Sequence, residues 1–488
     1  MAVFFLSWLV VIAHQVKKYT LLLFFSCFVG FAQQISVLDS LTQKSIPFVH
    51  VYDGAKGVIG SEAGVFYWNP QDPADSLSLS CVGYASRKIA KSQLQDSIYL
   101  SPKAVALSAV VVSNRTLSAD EIMERVLQNT AQNMDFGLSS SEVFVERKSY
   151  NETQKMDIDI KKSTIEELDQ SFTDEMLQKI PGMEQYVYYT KSKWLRDSGG
   201  LKNHKLEVMQ AANLIDSLNE QTYSSMEESI QEILDKRVKK NSYFKVKSGL
   251  FFSQNIDNNS EETDTVAQDS VKIKPKDYAK RQLGRLQQLV NKKLFHEKNW
   301  ALPFLEKPSK YSFSNEGILY DLGAPVYKLR FRSKKKKDFS GYLLVDVDDF
   351  GLHKIAYYSN RHLNRIKLFG LFYEEKINNR TYVFIKNQIN KYTLYQIAEE
   401  KESKFGLKRP IKIIEKNKVV KGRNRQNVLS MDVNLQMKNV EVLNIYFNSF
   451  RNISKKEFDD FTLVHQVLPT DYYSLDAVRE VMPGLPIN

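Results

Sequence analysis

Short runs in which apolar and polar residues alternate recur along this chain, and such runs predict strands. Within 35–101, Val49 and Val51 alternate with His50 and Tyr52, Val65-Phe66-Tyr67 follows Gly64, and Leu77, Leu79 and Cys81 form a third face. Runs of this kind separated by Gly and Asp turns predict a small antiparallel sandwich. Met156, Ile158 and Ile160 then alternate with Asp157, Asp159 and Lys161. From 311 to 396 the rhythm predicts an antiparallel meander, with Tyr327, Leu329 and Phe331 on one strand and Leu343, Val345 and Val347 on the next. His353, Ile355 and Tyr357 follow the turn Asp348-Asp349-Phe350-Gly351. Asn378-Asn379 suits a hairpin, because Asn tolerates the left-handed region. Residues 428–447 read as one or two further strands.

Helical spacing predicts the remaining elements. Ser118 and Glu121 make a capping box before Ile122 and Val126, which share a face. Residues 173–240 read as helical, with Val208, Ala211, Ala212, Ile215 and Leu218 as one stripe and Met226, Ile230 and Ile233 as a second. A third helix covers 277–298 through Leu286, Val290 and Leu294. Stripes of this kind predict core positions. Ser454 and Glu457 form another capping box ahead of Phe458 and Phe461, and 476–482 predict a last short helix. Residues 255–269 hold five acids and no Lys or Arg, the composition of a flexible acidic loop. The expected fold class is α+β, mainly β. A sandwich occupies 33–103, a mixed helix and strand region 104–300, and an antiparallel meander or curved sheet with C-terminal helices 301–488.

The first residues change the picture from fold to location. Lys17 and Lys18 precede an apolar run over 21–31 that closes on Gly30-Phe31-Ala32, the pattern of a secretory signal peptide spanning 1–32. At ten or eleven residues, neither this run nor 4–13 has the roughly 20 residues that cross a bilayer, although a short signal anchor stays open. Cys27 faintly suggests lipid attachment. The expected location is outside the cytoplasm, in the periplasm or at the outer membrane. Cleavage would leave Cys81 as the single cysteine, so no internal disulfide could form, and its alternation with Leu77 and Leu79 makes it a small buried side chain.

Composition supports folded domains, with 43% hydrophobic and 12% aromatic residues. The formal charge of +11 falls to +9 without Lys17 and Lys18. Much of it is local, in Arg330, Arg332 and Lys334–Lys337, and in a second cluster running from Lys408 to Arg425. In an exported protein such clusters suit anionic lipid or glycan better than nucleic acid; solvated loops are the plainer reading.

The search for chemistry returns no catalytic, cofactor or metal residues. His50, His204, His296, His353, His362 and His465 are dispersed, with no His-Glu-x-x-His and no Cys pair. Asp346, Asp348 and Asp349 invite a calcium reading, but Phe350 and Tyr357 stand where an EF-hand needs oxygen ligands, so a tight turn is expected. Gly-x-Ser-x-Gly and phosphate-cradling glycine patterns are missing. Glu166-Glu167 and Glu399-Glu400 sit in charge-rich stretches and read as solvated faces.

Three segments carry a family resemblance: Val37-Leu38-Asp39 with Thr42 and Ile46-Pro47, then Gly60 to Phe66, then Leu77 to Cys81 with Gly83-Tyr84. Together they resemble the carboxypeptidase-regulatory-like domain, a module of envelope proteins of Bacteroidota that lacks zinc ligands. The resemblance implies a transthyretin-like β-sandwich. Ser61-Glu62-Ala63 departs from the family's usual turn. Residues 107–112 look like the strand that follows this module in TonB-dependent receptors, but the repeated ten-residue alternation of a barrel is missing. Ser340 to Asp346 with 352–358 is similar in rhythm to the curved half-barrel sheets of periplasmic lipoprotein carriers. The leading expectation is a non-enzymatic exported envelope protein whose N-terminal sandwich binds or anchors, with an envelope protein, anionic lipid or glycan as partner. Its alternatives are a periplasmic carrier holding a hydrophobic ligand on the C-terminal sheet and an unrecognised polysaccharide or peptide hydrolase.

Overall fold

The computed structural model describes residues 33–46, 49–52, 57–60, 64–68, 75–81, 84–85, 87–101, 117–197, 204–239, 242–249, 252–257, 274–296, 298–321, 324–335, 339–417, 427–463 and 466–482. The expected signal at 1–32, the strand at 107–112, Gly83 and most of the acidic loop lie outside these residues. The described chain divides into two compact units, one ending at 101 and the other covering 117–482.

The first unit has seven short strands: β1 (Gln33–Asp39), β2 (His50–Tyr52), β3 (Gly57–Ile59), β4 (Val65–Trp68), β5 (Ser76–Ser80), β6 (Arg87–Ala90) and β7 (Ser97–Leu100). They form two sheets, ordered β4-β1-β7 and β3-β2-β5-β6. One apolar cluster takes side chains from both sheets, including Val37, Val51, Phe66, Leu79 and Leu100. Cys81 is half-buried at its margin. Asp39 ties the unit together. Its Oδ1 accepts from the Leu41 and Thr42 amides at 2.7 and 2.9 Å, and its Oδ2 accepts from the Tyr84 hydroxyl at 2.8 Å. The Thr42 amide holds the Asp39 carboxyl below its ordinary pKa, against a smaller cost of burial.

The second unit is organised by one 14-stranded sheet. Its strands are β8 (Ser139–Ser163), β9 (Met183–Arg196), β10 (Lys205–Leu214), β11 (Ser242–Ser248) and β12 (Phe252–Asp257). After the small ribbon β13 (Phe295–His296) and β14 (Asn299–Trp300) come β15 (Tyr311–Asp321), β16 (Ala324–Ser333), β17 (Phe339–Asp346), β18 (Leu352–Ser359) and β19 (Asn364–Leu368). β20 (Leu371–Lys386), β21 (Tyr392–Asn417), β22 (Val428–Asn452) and β23 (Thr470–Tyr472) complete it. The main path runs β15-β16-β17-β18-β20-β21-β22-β8-β9-β10-β23 and is antiparallel except at β23. The helices are α1 (Ala119–Asn133), α2 (Gln170–Lys179), α3 (Ser217–Arg237), α4 (Pro275–Gln287) with a π-helical continuation over Gln288–Leu294, α5 (Pro303–Glu306), α6 (Lys455–Asp460) and α7 (Leu475–Val481).

Several expectations need correction. Residues 205–214 are strand β10, and β9 also falls within the stretch read as helical. A register shift between Val208 and Gln210 breaks the alternation there, and an interrupted period of two imitates helical spacing. Asn378 and Asn379 lie inside β20 at another register shift, not in a turn. The third helix ends at Leu294 and gives way to β13. Asn255 to Asp257 close strand β12 rather than open a loop. Residues 428–447 belong to a single 25-residue strand, β22. The meander and the Ser118 capping box are present as read, whereas at Ser454 only half of the box forms: its side chain accepts from the Glu457 amide, and the Glu457 carboxylate turns to Arg451 instead.

The main core fills one end of the sheet face. Phe304, Phe331, Tyr357, Tyr382 and Phe384 cluster with Trp300, Leu443 and Ile445 under α1, α5 and the π-helical turn. Phe304 stacks on Phe331 at 4.2 Å between ring centroids. At the edge of this core His204 stacks on Trp194 at 5.7 Å, and its Nε2 lies 2.7 Å from Asn291 Nδ2, placing a neutral ring nitrogen against an amide donor. Burial, reinforced by Arg196, lowers its pKa from 6.5 to about 4. The unfolded chain therefore takes up a proton that the folded chain refuses. The stabilisation is complete above pH 6.5 and is lost as pH falls toward 4, by about 3 kcal/mol in all. Denaturant titrations across this window should show the loss in the wild type and a flatter profile in His204→Gln; equal slopes would contradict the assignment.

Candidate functional site

Side-chain alternation along β22 decides what the large sheet can hold. Direct pairing of β21 with β22 runs without a register shift from Gln396↔Tyr446 to Ile414↔Val428. Every odd-numbered residue of β22 over this span therefore faces one side. That side carries core residues Leu443 and Ile445 at one end and Met431 and Leu429 at the other. On β8 the shift between Thr153 and Lys155 inserts Gln154. The insertion brings Met156, Ile158 and Ile160 onto the face that Val145, Arg147, Ser149 and Asn151 occupy before it.

Two cavities open on this face. The first, of about 510 Å³, lies between the sheet and helices α2 and α3. Its floor is Met156, Ile158, Ile160, Met431, Ile413 and Val246, and its roof is Phe172, Met176, Leu177, Met226, Ile230 and Leu234. The polar residues at its wall are already engaged. Glu415, only 2% exposed, accepts from Lys239 N at 3.0 Å and Ser242 Oγ at 2.6 Å through one oxygen, and from Asn427 Nδ2 at 2.7 Å through the other. Thr173 donates to Asp169 O at 2.8 Å, and Asn427 Nδ2 also reaches Arg237 O at 2.9 Å. An apolar ligand here would strand no hydrogen-bonding group.

Helix α3 makes the point independently. Asp216 caps it through the Leu218 and Asn219 amides, yet none of its 21 residues is buried. Met226 and Ile230, read from sequence with Ile233 as a core stripe, face a void instead, and Leu234 rather than Ile233 completes the lining.

The second cavity, of about 780 Å³, lies between the sheet and α4. Arg147, Arg281 and Arg285 line it together with Glu184, Glu441 and Tyr278. Sequence reading singled out none of these residues, because they come from four separate elements, β8, β9, α4 and β22.

Asp346 and Glu399, singled out in the sequence, are held by neighbours within the fold. Asp346 accepts from the Asp348 and Asp349 amides through Oδ1, at 2.9 and 3.3 Å, and forms the tight turn expected there. Its Oδ2 takes His353 Nε2 and the Tyr392 hydroxyl, each at 3.1 Å. Burial works against the Asp346 carboxylate, but the His353 bond and the Lys386 charge hold its pKa well below the usual range. Glu399 is not on a solvated face: it is 6% exposed and ion-paired with the equally buried Arg380, whose Nη1 donates to Tyr357 at 3.0 Å. Glu167 stays at the surface on Arg237. Among the described residues, no three His, Cys, Asp or Glu side chains are grouped to hold a metal ion, and no helix is long and apolar enough to cross a membrane.

No family model and no curated protein matches the chain. Among solved structures it is similar to a LolA superfamily protein from Nitrosomonas europaea, at 10% identity over 70% of this chain and 98% of that one, with a TM-score of 0.20. A DUF1329 family protein from Desulfovibrio piger matches at 10% identity over 71% and 100%, with a TM-score of 0.19. The MucA/MucB complex of Pseudomonas aeruginosa matches at 7% identity over 65% and 93%, with a TM-score of 0.16. Likenesses at this level carry no argument.

Glu415→Ala should orphan the Ser242 hydroxyl and the backbone amides of Lys239 and Asn427, which donate to Glu415 at 3.0 and 3.3 Å, and cost about 3 kcal/mol. Hydrogen exchange at those two amides, with the unfolding midpoint, measures it; unchanged protection would show that the cavity wall does not depend on Glu415.

Proposed function

We propose that this chain is an exported, non-enzymatic carrier of a hydrophobic ligand, held in the cavity between the large sheet and helices α2 and α3. The observation that carries the reading is a space of about 510 Å³ with an apolar floor and roof, its wall polar groups engaged by the protein itself. The volume lies within the roughly 300–1,000 Å³ of small-molecule sites. An apolar stripe on a helix without a buried residue has no structural use unless something fills the space below it. Export rests on the Lys17 to Ala32 pattern, which fits a periplasmic carrier. The first unit, with its own core, serves on this reading as a carboxypeptidase-regulatory-like interaction module.

Native mass spectrometry of protein purified without detergent should show a bound apolar species. Ile160→Trp, which fills the floor, should weaken uptake of a fluorescent fatty-acid probe at least about tenfold. A clean apo mass together with unchanged uptake would contradict the proposal.

A further inference from the structure

The two cavities share a sheet face, and this constrains what enters them together. Asn151 lines the arginine cavity and Met156 lines the apolar one. Four residues of strand lie between them, and the two are about 16 Å apart along β8. On this face between them lie half-buried Leu435 and Met437 of β22, opposite Met156 and Thr153, and then Asn439, whose Nδ2 donates to Ser149 and Asn151 at 2.7 Å.

The arginine cavity is also short of anions. Arg281 and Arg285 form no hydrogen bond or ion pair among the described residues. Arg147 has one carboxylate, Glu441, at 3.7 Å. Glu184, the other acid of the lining, accepts the hydroxyls of Tyr186, at 3.1 Å, and of Tyr223. Partial desolvation and the neighbouring Arg147 both hold the Arg285 pKa below its ordinary value. Three guanidinium groups around one void, two of them unpaired, match an incoming oxyanion through charge-assisted hydrogen bonds.

We infer that the ligand is an anionic amphiphile, whose acyl chain occupies the apolar cavity and whose carboxylate or phosphate sits among Arg147, Arg281 and Arg285. This inference rests on the carrier reading and adds the headgroup. It explains why an apolar cavity and a cation-lined one lie along the same sheet face.

The test compares palmitate, a monoacyl lysophosphatidic acid and neutral monopalmitoylglycerol by calorimetry on the full chain, wild type and the Arg281→Gln/Arg285→Gln double variant. The two anions should bind wild type at least about tenfold more tightly than the neutral lipid, with the advantage shrinking as salt is added. The double variant should lose most of that advantage and keep its affinity for the neutral lipid. Preference for one anion over the other identifies the oxyanion as carboxylate or phosphate. Equal binding of anionic and neutral ligands, or full discrimination in the double variant, would overturn the headgroup site and leave the carrier intact. Failure of all three ligands to bind would overturn both. An unchanged unfolding midpoint checks that the double variant is folded.

Discussion

The pairing of β22 with β21 and β8 is the constraint on which the second unit depends. A strand of 25 residues presents one set of side chains to each side only while its register holds, and a slip of one residue would exchange the two faces. No shift interrupts β21 and β22, whereas β8 contains an extra residue at Gln154. The core around Leu443 and Ile445, the arginine-lined cavity and the apolar cavity are thereby strung along one face.

Energetically the face divides into segments with different roles. Where α1, α5 and the π-helical turn press on it, aromatic packing such as Phe304 on Phe331 stabilises the unit. Further along, Arg380 and Glu399 place a buried ion pair between strands, a device that fixes geometry more than it adds stability. Beyond it, helices α2 and α3 cover the sheet without filling the space beneath. Apolar surface left in a void forgoes the contacts that close packing supplies, so the covered space costs stability in the empty protein. A ligand that restores those contacts stabilises the folded state.

Much of the architecture was legible in the sequence, because alternation in 311–359 and around Met156 reports half-buried strands directly. The helix starts at Ser118 and Ser454 were legible for the same local reason, although only Ser118 completes its capping box. Register shifts hid the rest. Near Val208 one shift made a strand resemble a helix, and within β20 another left Asn378-Asn379 looking like a turn. The site itself was only half visible. Met226 and Ile230 announced an apolar face, but no local pattern reveals that a face meets a void, and Arg147, Arg281 and Arg285 converge only through the sheet's long-range pairing. Glu399 was misread for a related reason: its partner Arg380 is a neighbour across strands.

The most direct test of the central claim is where an acyl chain lies in solution. Methionine methyl groups report it, since Met156, Met176, Met226 and Met431 line the apolar cavity while Met123 and Met134 belong to the packed core. A fatty acid spin-labelled at its terminal carbons should broaden the first four methyl resonances and spare the last two. Sharp signals from all four in the presence of bound ligand would contradict the account.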